Sequence, residues 1–214
     1  MAIMDSFSRE FCNHGKRLLA QPGALWEMEG FMIRFIFSME SLIFSLTLLA
    51  GGQKEVHMTL QLTSKNFHHQ GEIPKLYTCD GKDLSPSLSW SGVPAGTKSF
   101  ALIVDDPDAP DPKAPKMTWV HWVLYNLPAT VNSLEEGISP KNLPSGSLEG
   151  TNDWKRTGYG GPCPPIGRHR YFFKLYALDT VLADLRQPTK AALEKAMSGH
   201  ILEKVELVGT YQRN

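Results

Sequence analysis

The chain has 214 residues, 42% of them hydrophobic, which is enough to bury one core of ordinary domain size. Its 22 lysines and arginines equal its 22 aspartates and glutamates, so it carries no basic footprint of the kind that neutralises a nucleic-acid backbone, and nucleic acid is excluded as a partner. Fifteen prolines and eighteen glycines, with prolines clustered at Pro86, Pro94, Pro107, Pro110, Pro112 and Pro115, indicate short strands joined by stiff loops and exclude an all-helical fold.

Residues 1–57 read as a leader or N-terminal extension. Between Phe31 and Ala50 the only ionisable residues are Arg34 and Glu40. With translation starting at Met32, Arg34 forms a short basic region, an apolar run follows, and Ala50-Gly51-Gly52 offers small residues for cleavage, the pattern of a signal peptide. The same tract approaches the roughly 20 residues of a spanning helix and so also reads as an anchor. A third reading is an upstream extension unrelated to the domain. Glu40 weighs against the first two, because a central carboxylate is costly on insertion scales. Membrane contact is expected only through this segment; the domain is periplasmic or secreted if the segment is a signal peptide and cytoplasmic otherwise.

Residues 58–214 read as a single domain. Thr59 to Leu62 and Ser87 to Trp90 alternate as strands, and Lys98 to Val104 is a β-rich run ending in an acidic loop. Trp119 to Asn126 places Trp119, His121, Val123 and Tyr125 on one face and Val120, Trp122 and Leu124 on the other. Both faces are largely apolar, which predicts a central strand buried on both sides. Arg170 to Leu178 repeats the pattern. Thr189 caps a predicted helix over Lys190 to Ser198 that stops at Gly199, and a last strand follows near Ile201 to Gly209. Six or more closely spaced strands with one late helix predict a mainly β fold, a sandwich or Greek-key core with a peripheral helix. Cys12 belongs to the leader, so Cys79 and Cys163 remain in the domain as either a disulfide or two free thiols.

Three separated segments concentrate the chemistry: Asp106-Pro107-Asp108-Ala109-Pro110, Trp119-Val120-His121-Trp122, and Gly158 to Tyr171. His121 alone in an apolar strand reads as a core histidine. His169 and Tyr171, two apart in another strand, share a face. Together they predict a pocket of two imidazoles, a phenol and a carboxylate, with Gly160-Gly161 offering backbone N–H groups to an anion.

Asp106-Pro107-Asp108-Ala109-Pro110, the strand histidine His121 after Trp119, and Gly167-Arg168-His169-Arg170-Tyr171 resemble the phosphatidylethanolamine-binding protein family, also called Raf-kinase-inhibitor-like proteins. The likeness is to its bacterial and archaeal branch, through Cys79 to Gly81, Ser85-Pro86 and Gly160 to Pro165, and it spans roughly residues 59–211. The resemblance implies a Greek-key β-sandwich of that type, with a small pocket for phosphate, phosphoryl head groups or acetate and no cofactor or metal. It implies Asp106, His121, Gly161, His169 and Tyr171 as ligand-binding residues, with Asp108, Pro110, Pro162 and Arg170 supporting them. It also implies a kinase or protease as protein partner, with the Pro-rich loop Asp111 to Lys116 as a contact surface. After Tyr211 no long helical segment like that of the animal members follows.

Asp106 fits an anion site if it accepts from an imidazole N–H and orients that ring toward the ligand, and phosphate then binds more tightly at lower pH. Two enzyme readings compete. Asp106, His121 and His169 form a potential metal triad for phosphoester hydrolysis. Alternatively, Cys163 is a nucleophile with His169 as its base, although a cysteine between two prolines reads first as structural.

Overall fold

The computed structural model describes residues 59–213. The leader proposed for residues 1–57 lies outside the described residues. Among them, no helix is long and apolar enough to cross a membrane.

Two antiparallel sheets carry the fold. The smaller contains β1 (Gln61–Thr63), β2 (Leu88–Ser91) and β5 (Ser133–Leu134), in the order β1-β2-β5. The larger contains β3 (Ser99–Asp106), β4 (Trp119–Pro128), β6 (Leu148–Glu149), β7 (Arg168–Leu178) and β8 (Ile201–Gln212), in the order β6-β4-β3-β7-β8. Within it, β7 returns to lie beside β3, so β7, β3, β4 and β6 stand in the spatial order of a Greek key. β3 is the middle strand and all eight of its residues are buried, which explains its near-continuous apolar run Phe100 to Val104. The predicted strands β4 and β7 flank it, both interior to the sheet.

Strand alternation sorts the side chains into two layers. Phe100, Leu102 and Val104 of β3, Trp122 and Leu124 of β4, and Phe173 and Leu175 of β7 pack with Leu62, Leu88 and Trp90 of the smaller sheet. Ala101, Ile103, Val123, Tyr125 and Tyr176 pack on the opposite face with Leu193 and Met197 of α1 (Lys190–Met197). Thr189 caps α1 by accepting from the Ala192 N–H, and Gly199 follows with a φ of +82°, a conformation that suits glycine after a helix.

The large sheet carries consecutive aspartates at one end of β3 that serve opposite faces. Asp105 is fully buried on the α1 side, where Lys174 approaches at 2.8 Å and Lys190 at 2.5 Å. Asp106 faces the other way, into the cluster described next.

Candidate functional site

A β-bulge decides where His121 points. Val104 pairs with Trp122 and Asp105 pairs with Val120, so His121 is an extra residue with no partner on β3. The strict alternation expected from the sequence would place His121 with Val123 and Tyr125, against α1. The bulge instead turns it toward the opposite face, where its ring meets Tyr171 edge-on at 5.1 Å and Trp154 at 5.0 Å. The shared face predicted for His121, Val123 and Tyr125 is corrected accordingly.

His121 is held by the backbone of Gly160 and Gly161. Its Nδ1 donates to the Gly160 carbonyl at 2.6 Å, and no partner for Nε2 is present among the described residues. Burial pushes its pKa down to about 4, so the ring is neutral at pH 7. The bond to Gly160 places the proton on Nδ1 and leaves Nε2 as an acceptor.

His169 and Asp106 form a closed pair. Nδ1 of His169 lies 2.6 Å from Oδ2 of Asp106, while Nε2 donates to the Ile166 carbonyl at 3.0 Å. The other carboxylate oxygen, Oδ1, accepts the Asp108 N–H at 2.8 Å. Because Ile166 offers only an acceptor, Nε2 carries hydrogen. The short Nδ1–Oδ2 contact then holds one further proton, and the pair is net neutral whichever atom owns it. Burial raises the Asp106 pKa, opposed chiefly by its hydrogen bond from His169. As expected, Asp106 orients an imidazole, but the second nitrogen of that ring is spent on Ile166 and does not face a ligand.

Asp108 and Arg170 hold this arrangement from outside. Oδ2 of Asp108 accepts both the backbone N–H and Nε of Arg170 at 2.9 Å, and Oδ1 accepts Nη2 at 2.7 Å. This planar clamp, made chiefly by the guanidinium, holds the Asp108 carboxyl below its ordinary pKa and ties the loop after β3 to β7.

The glycines of the third segment work differently from the expectation. The Gly161 N–H donates to Asp83 Oδ1 at 2.6 Å and the Gly160 N–H to the His121 carbonyl at 3.0 Å, so neither is open to an anion. Gly161 is required by close packing: a Cβ there would stand 2.3 Å from the Tyr77 carbonyl oxygen. Pro162 is buried behind the wall, where its carbonyl accepts the Cys79 N–H at 3.1 Å. Cys79 and Cys163 are joined as a disulfide with a Cα–Cα distance of 5.4 Å.

These groups open onto a cavity of about 300 Å³ lined by Asp106, Ala109, Pro110, Met117, Trp119, His121, Trp154, Cys163, Pro164, Pro165 and His169. Its walls are mostly apolar; its titratable side chains are Asp106, His121 and His169, and the lining residue Trp119 carries a buried indole N–H with no partner among the described residues. Tyr171, expected in the lining, sits behind it: the residue is buried and its hydroxyl has no partner among the described residues. Asp108 and Arg170 stand outside the cavity. Among the described residues, no group of three His, Cys, Asp or Glu side chains is placed to hold a metal ion. With both nitrogens of His169 engaged, neither the proposed triad nor a Cys163–His169 nucleophile–base pair is assembled.

Sequence reasoning did not single out Trp154. Its ring stands over Gly160, where a Cβ would be 2.5 Å away, and meets Trp119 edge-on at 5.4 Å. The buried Asn152 builds the loop that presents it, accepting the N–H groups of Trp154 and Arg156 and donating to the Gly158 carbonyl. An Asn-Asp pair just before a tryptophan is a turn signal that would have pointed to an exposed aromatic there.

The family described as phosphatidylethanolamine-binding protein matches residues 63–212. A UPF0098 protein of Methanothermobacter thermautotrophicus is 49% identical over 155 residues, covering 72% of this chain and 99% of that protein. Among solved structures, Chlamydia trachomatis CT736, described as a phosphatidylethanolamine-binding protein homologue, is 44% identical with a TM-score of 0.68, covering 73% of this chain and 99% of its own. Escherichia coli YbcL, described as a member of the mammalian family, is 35% identical with a TM-score of 0.66, covering 72% of this chain and 99% of its own.

Proposed function

The chain belongs to the phosphatidylethanolamine-binding protein family, on its bacterial and archaeal side, and from that premise and the pocket's geometry we propose that it binds the phosphoryl head group of a small ligand. The observation that carries this reading is the unpaired Nε2 of a neutral, buried His121 in an apolar-walled cavity of about 300 Å³. No cationic side chain lines the cavity, and the Asp106–His169 pair is net neutral. An oxyanion therefore binds together with a proton. Either a monoprotonated phosphoryl group donates its O–H to Nε2, or the anion raises the His121 pKa and Nε2–H donates to it. The two descriptions differ only in where the proton rests.

The substituent of the head group meets Met117, Trp119, Trp154, Pro110, Pro164 and Pro165. Pro110 and Met117 bracket the exposed loop 111–116, so occupancy of the pocket bears directly on the surface offered to a protein partner such as a kinase or protease. In this reading the protein is a regulatory binding module without catalytic groups of its own. Calorimetric titration of the full chain with phosphoethanolamine at pH 6 tests it: saturable binding that is lost in His121→Phe is the expected result, and equal binding by that variant rejects the assignment.

A further inference from the structure

The disulfide is part of the pocket wall. Cys163 lines the cavity together with Asp106, His121 and His169, while its partner Cys79 is exposed to solvent. The segment 159–165 that carries Cys163 also supplies the Gly160 carbonyl that orients His121 and the prolines Pro164 and Pro165 of the wall. This segment leans on residues 77–83 through few polar contacts besides the S–S bond. These are the Tyr159 hydroxyl donating to the Tyr77 carbonyl at 3.0 Å, Cys79 N–H to the Pro162 carbonyl at 3.1 Å and Gly161 N–H to Asp83 at 2.6 Å, while the Gly160 N–H bonds the His121 carbonyl at 3.0 Å on the other side. The segment therefore has one covalent anchor, and of its two cysteines Cys79 is exposed while Cys163 is half-buried.

We propose that Cys79–Cys163 is a thiol-exchange site whose redox state sets the ligand affinity of the adjoining pocket, a proposal that rests on the pocket's being a ligand site. The reductant is a small dithiol or a protein dithiol. Its thiolate attacks Sγ of Cys79, the more exposed residue of the pair, the S–S bond breaks, and the electron pair leaves on Sγ of Cys163, which takes a proton from solvent. The second thiol of the reductant resolves the mixed disulfide on Cys79. The net change is two cysteine thiols formed and one dithiol oxidised to its disulfide. Reduction releases the covalent anchor, the 159–165 segment samples more conformations, and the Gly160 carbonyl no longer fixes the tautomer and direction of His121. The oxidised protein is the binding form.

The test uses the full chain with Cys12→Ser, so that the only thiols are those of the pair. Phosphoethanolamine affinity is measured before and after dithiothreitol, with thiols counted and far-ultraviolet circular dichroism recorded on the same samples. Amide exchange at Gly160 and Gly161 is followed in parallel. The expected result is two thiols released, an unchanged fold, affinity at least tenfold weaker, faster exchange at both glycines, and recovery on reoxidation. Cys79→Ser with Cys163→Ser should show the weak affinity in either condition. Reduction with affinity and exchange unchanged overturns the proposal, as does a native disulfide that dithiothreitol cannot open, or global unfolding on reduction. If the oxidised protein binds no phosphoethanolamine, the pocket reading fails and the affinity claim is overturned with it, whereas binding that reduction leaves unchanged overturns the redox claim alone.

Discussion

The imidazole of His121, in the pocket wall, and the carbonyl of Gly160, in the loop behind it, meet at 2.6 Å, and this bond determines which nitrogen is left for a ligand. Because the ring is fully buried, its neutral form is built into the fold, with consequences for stability and for binding.

The first consequence is a pH-dependent stability. The unfolded histidine titrates near 6.5 and the folded one at about 4, so between these values the unfolded chain binds the extra proton. The neutral-histidine contribution is complete above pH 6.5 and is lost as pH falls toward 4, a change of about 3 kcal/mol. Urea unfolding of wild type and His121→Phe between pH 4 and 7 should show this component of the slope in wild type only.

Asp108→Ala removes three charge-assisted bonds to Arg170, and a loss of roughly 2–4 kcal/mol is expected from thermal or urea unfolding. The Asp108 carboxyl is held below its ordinary pKa, so its share of stability is present at neutral pH and disappears only in acid, as the carboxylate takes up its proton.

Gly161→Ala separates packing from donation. The backbone N–H remains, but the new Cβ would press on the Tyr77 carbonyl oxygen at 2.3 Å, so a destabilisation of roughly 2–4 kcal/mol is expected in urea unfolding. A stable Gly161→Ala protein with weakened ligand binding would instead return this glycine to a direct role in the site.

Asp105→Ala is the control on the opposite face. It leaves Lys174 and Lys190 together without their carboxylate and is expected to cost roughly 3–5 kcal/mol in unfolding. Its ligand affinity, measured well below the melting temperature, should fall far less than in His121→Phe, because this cluster lies on the α1 side of the sheet and reaches His121 only through its charge.

The large sheet was legible because β3 and β4 are largely apolar on both faces, a pattern that few other arrangements satisfy, and α1 was legible because Thr189 and Gly199 mark its ends. Two-residue strands such as Ser133–Leu134 and Leu148–Glu149 are too short to carry a period. Of the carboxylate, two imidazoles and phenol expected at one pocket, Asp106, His121 and His169 line one cavity while Tyr171 lies behind it. The direction of His121 was not legible, because a bulge inserts a residue without disturbing the apolar pattern on either side of it. Nor was the consumption of the Gly160 and Gly161 N–H groups, which depends on Asp83, a residue 78 positions away from Gly161.

The central claim is that a phosphoryl group binds with a proton at His121 Nε2. Phosphoethanolamine affinity measured by calorimetry across pH 5 to 8 tests this most directly. A phosphoryl group loses its second proton near pH 6, so affinity should fall by about tenfold per pH unit above that value. Affinity that is flat across the range, or that survives in His121→Phe, would contradict the account.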